Sequence, residues 1–198
     1  MKQKGFTVWL TGLSGSGKNT IARVLDRELR RRGLKVELLA GSEFRQNISQ
    51  GLGFSRADRI ANVRRICYVA KLLTRNGVAV ITTSISPYRQ VRKECRGIIG
   101  DFIEVYVECP LELCEARDEK GLYARARSGA LEDFTGISDP YEPPEKPEVV
   151  CHSAEETPEE SAAKIMAVLE ERGYIEPEKT AALEEESIRS QLRWLGTI

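Results

Sequence analysis

The chain has 198 residues, 41% of them hydrophobic, with 30 Lys and Arg against 30 Asp and Glu. That length suits a single domain with a sizeable core, and the balanced charge argues against nucleic-acid binding through bulk positive potential. No apolar run approaches the ~20 residues that cross a bilayer, and five cysteines without a CxxC pair argue against a zinc site or disulfide scaffold.

In chain order, short β-rich runs alternate with longer helical ones. Residues 6–11 (FTVWLT) read as a strand and 18–32 as a helix, with Gly33 at its C-terminal end. A second strand is expected at 35–39, a helix at 56–76 closed by Gly77, and a third strand at 78–82. A helix at 88–97, a strand at 102–107 and a helix at 111–117 follow. Residues 118–147 are rich in charge, Gly and Pro and hold one short helical candidate at 122–128; beside a nucleotide site such a stretch reads as a lid. A weak strand at 148–151 and a helix at 158–172, apolar at Ala162, Ile165, Met166 and Leu169, complete the body. Strands separated by helices imply right-handed crossovers and a mainly parallel sheet. The expected architecture is therefore α/β, a five-stranded sheet flanked by helices, in a domain spanning 1–174. The tail, 175–198, carries a stripe of Leu183, Ile188, Leu192 and Leu195 beside Trp194 that suits docking on the body or on a second subunit. The first residues lack a signal-peptide layout, so a cytoplasmic protein is expected.

The strongest local signal is Gly12-Leu13-Ser14-Gly15-Ser16-Gly17-Lys18-Asn19-Thr20, between an apolar strand and a helix. Glycines let backbone N–H groups turn inward as an anion nest, the helix adds its positive end, and Lys18 reaches the β- and γ-phosphates. The residue after the lysine normally offers a hydroxyl to Mg²⁺. Here it is Asn19, whose amide oxygen is a bulkier donor with a different reach, and Thr20 lies one place too far along.

Further stretches resemble one family. They are Leu52-Gly53-Phe54-Ser55 with Asp58-Arg59, Asn62 and Arg64-Arg65; Ile85-Ser86-Pro87-Tyr88-Arg89; Lys120-Gly121-Leu122-Tyr123; and Phe134-Thr135-Gly136-Ile137 with Asp139-Pro140-Tyr141-Glu142. Together with the phosphate loop, the set looks like adenylylsulfate kinase (APS kinase), over about residues 5–174. The resemblance implies a P-loop nucleoside-triphosphate-hydrolase fold and transfer of the γ-phosphoryl of MgATP to the 3′-hydroxyl of adenosine 5′-phosphosulfate (APS), giving PAPS and ADP. It implies that Phe54 and Phe134 sandwich the substrate adenine and that Arg45, Arg59 and Asn62 hold phosphosulfate and ribose. Ile85 and Ser86 would add contacts, and Lys120 would neutralise charge at the transferred group. Ser86 matches a serine described in the family as a phosphoserine intermediate, but direct in-line transfer needs none, which favours a binding role. The resemblance further implies a homodimer, fused to or associated with an ATP sulfurylase.

The match breaks on one side of the site. The family reads Asp-Gly-Asp after the second strand, where this chain has Ala40-Gly41-Ser42, followed by Glu43 as a candidate replacement. Asn19, Ala40 and Ser42 all remove metal or proton chemistry, leaving Asn19 as the one candidate Mg²⁺ contact. Two readings follow: a kinase with weakened turnover, which leads, or a non-catalytic domain that senses APS or PAPS.

Overall fold

The computed structural model describes residues 3–178. The expected tail stripe from Leu183 to Leu195 lies outside the described residues. Five strands, β1 (Phe6–Thr11), β2 (Val36–Ala40), β3 (Ala79–Thr83), β4 (Phe102–Glu108) and β5 (Val149–His152), form one parallel sheet in the order β2-β3-β1-β4-β5. The seven helices among the described residues are α1 (Lys18–Arg31), α2 (Gly41–Asn47), α3 (Arg56–Arg75), α4 (Arg89–Ile99), α5 (Leu111–Ala116), α6 (Leu122–Arg127) and α7 (Pro158–Glu171).

β1 occupies the middle because every one of its residues is apolar or Thr and all six are buried, as a strand covered on both faces requires. Its alternation separates two cores. Phe6, Val8 and Leu10 pack with Ile21, Leu25 and Leu29 of α1 and with Ile165 and Leu169 of α7. Trp9 faces the opposite side and stacks on Phe102 at 5.7 Å, among Val63, Ile66 and Cys67 of α3 and Val91 and Cys95 of α4. Burying each of these large side chains contributes roughly 1.5–3 kcal/mol, so the two cores, not the helices' own propensities, hold the layers. α7 is also fixed at its start by a capping box, Thr157 accepting from the Glu160 amide and Glu160 accepting from the Thr157 amide.

The elements expected within the described residues are all present, with β2, β3 and β5 each displaced by one residue towards the C-terminus. α2 is an addition to them. It spans seven residues and buries one side chain, Phe44, so it carries no apolar period. No helix among the described residues is long and apolar enough to cross a membrane.

Candidate active site

All five strands end on the same side, and a cleft of about 730 Å³ opens there, walled by the loop after β1, the end of β2 with α2, the start of α3, the turn after β3 and residues 117–122. Crevices at the carboxyl ends of parallel strands are where open α/β sheets bind ligands.

At one end the loop from Gly12 to Gly17 links β1 to α1. Gly15 adopts φ 77°, and a Cβ there would lie 2.7 Å from the Cys114 carbonyl oxygen, so α5 packs directly against the loop and enforces the glycine. Tyr123 on α6 holds the same loop from outside, its hydroxyl donating to the Ser14 carbonyl at 2.8 Å. Lys18 Nζ donates to the carbonyls of Gly12 (2.9 Å) and Leu13 (2.5 Å) and to Ser16 Oγ (3.3 Å). Burial lowers its ammonium to about 8, so a cation whose hydration is already stripped waits among neutral dipoles.

The donors expected around a nucleotide's metal are sparse here. P-loop proteins hold Mg²⁺ with a Ser or Thr hydroxyl after the lysine and a strand-end Asp. This chain presents Asn19, exposed on the first turn of α1, and Ser42 at the start of α2, both lining the cleft. Ala40 ends β2 without a polar side chain. Gly41, between them, is locked by packing: a Cβ would lie 2.5 Å from the Thr83 carbonyl oxygen. Glu43, the candidate replacement carboxylate, is exposed and does not line the cleft, because one further step around α2 turns it away. Of the carboxylates that do line it, Asp118 accepts from the Tyr123 amide at 2.7 Å, Glu156 accepts from the His152 amide and Ser161 Oγ, and Glu119 is exposed on the 117–122 wall. Among the described residues, no three His, Cys, Asp or Glu side chains gather as metal ligands. The donor set does not fit the usual P-loop arrangement.

The other end of the cleft is differently furnished. Arg59, on the first turn of α3, is 5% exposed; its Nε donates to the Phe54 carbonyl at 2.8 Å, its Nη2 donates to the Asp133 carbonyl, and Asp139 Oδ2 lies 3.8 Å from Nε. The guanidiniums of Arg45 and Arg59 sit 4.7 and 5.5 Å from the ring centroid of Phe54, itself 45% exposed to the cleft. Burial pulls both arginines below their ordinary range, Arg59 beside Arg45 adding to the effect on Arg45. Asn62, one turn along α3, is buried, and among the described residues its Oδ1 has no hydrogen-bond partner; neither has Thr83 Oγ1, which also lines the cleft. Two unsatisfied buried polar atoms sharing a cleft with two desolvated guanidiniums are what a polar anionic ligand would satisfy.

Ser86 forms the floor. It takes φ 38°, an uncommon conformation for a serine. Its Oγ accepts from Trp9 Nε1 and donates to Thr11 Oγ1, both at 3.0 Å. Thr11 gives its own hydrogen to the Ile85 carbonyl at 2.7 Å, so the 3.0 Å bond to Tyr141 has the tyrosine as donor. Arg92 Nη1 then donates to the Ser86 carbonyl at 2.6 Å while its Nε pairs with Glu104 at 2.8 Å. Residue spacing offers no hint of Trp9, Thr11 or Arg92 as parts of this site, since the Trp9 and Thr11 contacts to Ser86 join strands and turns more than seventy residues apart and Arg92 lies inside a helix of mostly polar residues.

Of the residues expected at the site, Ser14, Gly15, Gly17, Lys18, Asn19, Thr20, Arg45, Phe54, Arg59, Asn62, Ile85, Ser86 and Lys120 line the one cleft. Gly12 and Ser16 are buried in the loop behind it. Leu13 faces away, into a small cluster with Cys114, Tyr123 and Ala126. Phe134 is in that cluster too, 6% exposed and edge-on to Tyr123 at 4.9 Å, and is not brought opposite Phe54. Arg64 pairs with Glu94 on the surface, outside the cleft.

Residues 4–152 match the family described as Adenylylsulphate kinase. The chain belongs to that family. It is 57% identical over 175 residues to the adenylyl-sulfate kinase of Rippkaea orientalis, covering 88% of this chain and 97% of that one. Among solved structures it resembles the Mycobacterium tuberculosis APS kinase in complex with AMPPNP and APS, at TM-score 0.82 and 41% identity over 85% of this chain and 99% of that one. It also resembles a hexameric APS kinase from Thiobacillus denitrificans, at TM-score 0.67 and 35% identity over 88% of this chain and 30% of that one. Membership makes this chain a kinase by resemblance, and relatives named as kinases favour that reading over a binding-only domain.

Proposed function

We propose that the chain transfers the γ-phosphoryl group of ATP to the 3′-hydroxyl of adenosine 5′-phosphosulfate, giving PAPS and ADP. The observation that carries the reading is a single cleft with Lys18 and its glycine loop at one end and Arg45, Phe54, Arg59 and Asn62 at the other. The relative from M. tuberculosis, solved with AMPPNP and APS, supports the same pair of ligands.

In this reading the loop amides and Lys18 hold the β- and γ-phosphates. Phe54 offers a face to the acceptor adenine, Arg45 and Arg59 take the phosphosulfate, and the free Asn62 Oδ1 accepts a hydrogen bond from the ribose. Lys120, exposed on the opposite wall, reaches developing negative charge. Ser86 Oγ already accepts from Trp9 and donates to Thr11, so it shapes the floor and does not act as a phosphorylated intermediate. Phe134 reaches the adenine only by leaving its cluster with Tyr123, which assigns that step to the 118–147 lid. Mg²⁺ bound with ATP would supply neutralisation of phosphate charge, and of the residues lining this end the exposed Asn19 amide is the one that would contact it. A cytoplasmic homodimer working with an ATP sulfurylase completes the proposal, on the resemblance, and sedimentation tests the dimer. ADP release coupled to a dye reaction, with and without APS, tests the chemistry: ADP formation that requires APS and yields PAPS supports it, and ADP formation indifferent to APS contradicts it.

A further inference from the structure

We propose that Asp139 is a positioning residue for the acceptor site, holding Arg59 in the attitude that receives the phosphosulfate. The proposal deepens the functional reading above and rests on it.

Three observations converge on this carboxylate. Both its oxygens accept from the Tyr88 hydroxyl, at 3.0 and 2.9 Å, and Oδ2 lies 3.8 Å from Arg59 Nε. Thr135 Oγ1 adds a longer contact at 3.4 Å. Asp139 thereby joins three parts of the chain that share no local sequence: the first turn of α3, the residue that caps α4, and the lid.

Arg59 is held from two directions by this arrangement. Nε goes to the Phe54 carbonyl on the wall, and Nη2 to the Asp133 carbonyl on the lid. Asp133 takes φ 53° to present that oxygen, a conformation Asp tolerates better than most residues. Among the described residues Nη1 makes no protein hydrogen bond, and Arg59 lines the cleft. An arginine pinned at two nitrogens with one end open is organised for an anion before it arrives, which removes ordering entropy from binding. Without Asp139, a nearly buried guanidinium would lose its ion-pair partner among the described residues, and the lid would lose its tie to Tyr88. Tyr88 suits this arrangement, because burial and the carboxylate push its hydroxyl up to about 12 and keep it a donor across the physiological range.

The position also separates the acceptor end from the phosphate end. Among the described residues, neither the side-chain hydrogen bonds of Asp139 nor its ion pair reaches Lys18 or the glycine loop. Its loss therefore acts on APS and spares the nucleotide, which a general loss of folding would not do.

The test uses the full chain and two single variants, Asp139→Asn and Tyr88→Phe, with the double variant. Titration calorimetry reads the Kd for APS in the presence of ADP, and separately the Kd for ADP. Asp139→Asn, which keeps the size and removes the charge, is expected to weaken APS about ten-fold or more while ADP affinity and melting temperature hold. Tyr88→Phe moves APS in the same direction by less, and the double variant is no weaker than Asp139→Asn alone, because the tyrosine acts through the carboxylate. Unchanged APS affinity in Asp139→Asn overturns the proposal, as does equal weakening of APS and ADP. A parent that binds ADP but no APS overturns the functional reading itself, a result distinct from either.

Discussion

The two ends of the cleft are built by opposite means. At the acceptor end most polar groups are engaged: Arg59 with Asp139, Arg92 with Glu104, and the Ser86 hydroxyl between Trp9 and Thr11, while Arg45 keeps its guanidinium over Phe54. At the phosphate end a single buried cation, Lys18, rests on loop carbonyls, and the places where P-loop proteins put a hydroxyl and a carboxylate hold Asn19, Ala40 and Ser42. The expected acceptor side chains Arg45, Phe54, Arg59 and Asn62 thus line the cleft, Phe134 excepted, beside a phosphate site with few metal donors. In the proposed function, acceptor recognition and metal binding are separable, because the acceptor network runs through α3, α4 and the lid while the metal donors would come from the ends of α1 and β2.

The largest expected effect breaks the phosphate end outright. Lys18→Met removes the one cation on the loop and should lower phosphoryl transfer about 10²–10³-fold, with APS affinity measured by calorimetry unchanged. Loss of APS binding in that variant would show that the two ends are not separable.

Repair should work in the other direction. Asn19→Ser, Ala40→Asp and Ser42→Asp together supply a hydroxyl and two carboxylates on the side that lacks them. A positioned general base is typically worth about 10²–10⁴ in rate, so APS-dependent ADP formation should rise at least ~10²-fold. No gain from a briskly active parent would show that some other group supplies that chemistry.

Removing the exposed aromatic from the acceptor end is smaller. Phe54→Ala should weaken APS by about 1–3 kcal/mol, the usual range for one base stacked on one ring. Calorimetry in the presence of ADP reads it, and an equal loss of ADP affinity would place Phe54 on the nucleotide's side.

The smallest effect is a proton. Lys18 titrates at about 8 in the free protein, below its ordinary value, because burial disfavours the ammonium. Phosphates restore the charged form, so at about pH 9, inside the shifted window, nucleotide binding should take up a proton. That uptake is seen as a dependence of the calorimetric heat on buffer ionisation enthalpy. The same depression means folding releases this proton between about pH 8 and the ordinary lysine range. Lys18 therefore makes the free protein more stable as pH rises through that window. Lys18→Met should abolish both effects.

How much of this is legible in the residues alone differs between the same two ends. The phosphate loop is legible because its glycines, lysine and flanking strand are contiguous, and the departures at Asn19, Ala40 and Ser42 are legible for the same reason. The parallel sheet follows from alternating runs, while α2 escapes because a seven-residue helix with one buried side chain has no period to detect. At the acceptor end the resemblance supplies Arg59 and Phe54. It carries no sign that Asp139 and Tyr88 hold Arg59, since those contacts join positions 51 and 74 or more residues apart. Nor does it foresee Phe134 packed on Tyr123, because an aromatic reads alike whether it serves a ligand or a small cluster.

The separation of the two ends is tested most directly by the magnesium dependence of ADP affinity. Calorimetry on the parent and on the Asn19→Ser, Ala40→Asp, Ser42→Asp variant, each with excess Mg²⁺ and with EDTA, isolates binding from turnover. The parent is expected to bind ADP almost equally in both buffers, and the repaired chain to gain on the order of ten-fold from the metal. A parent whose ADP affinity collapses in EDTA would show that this chain holds magnesium with residues of its own, and would contradict that separation.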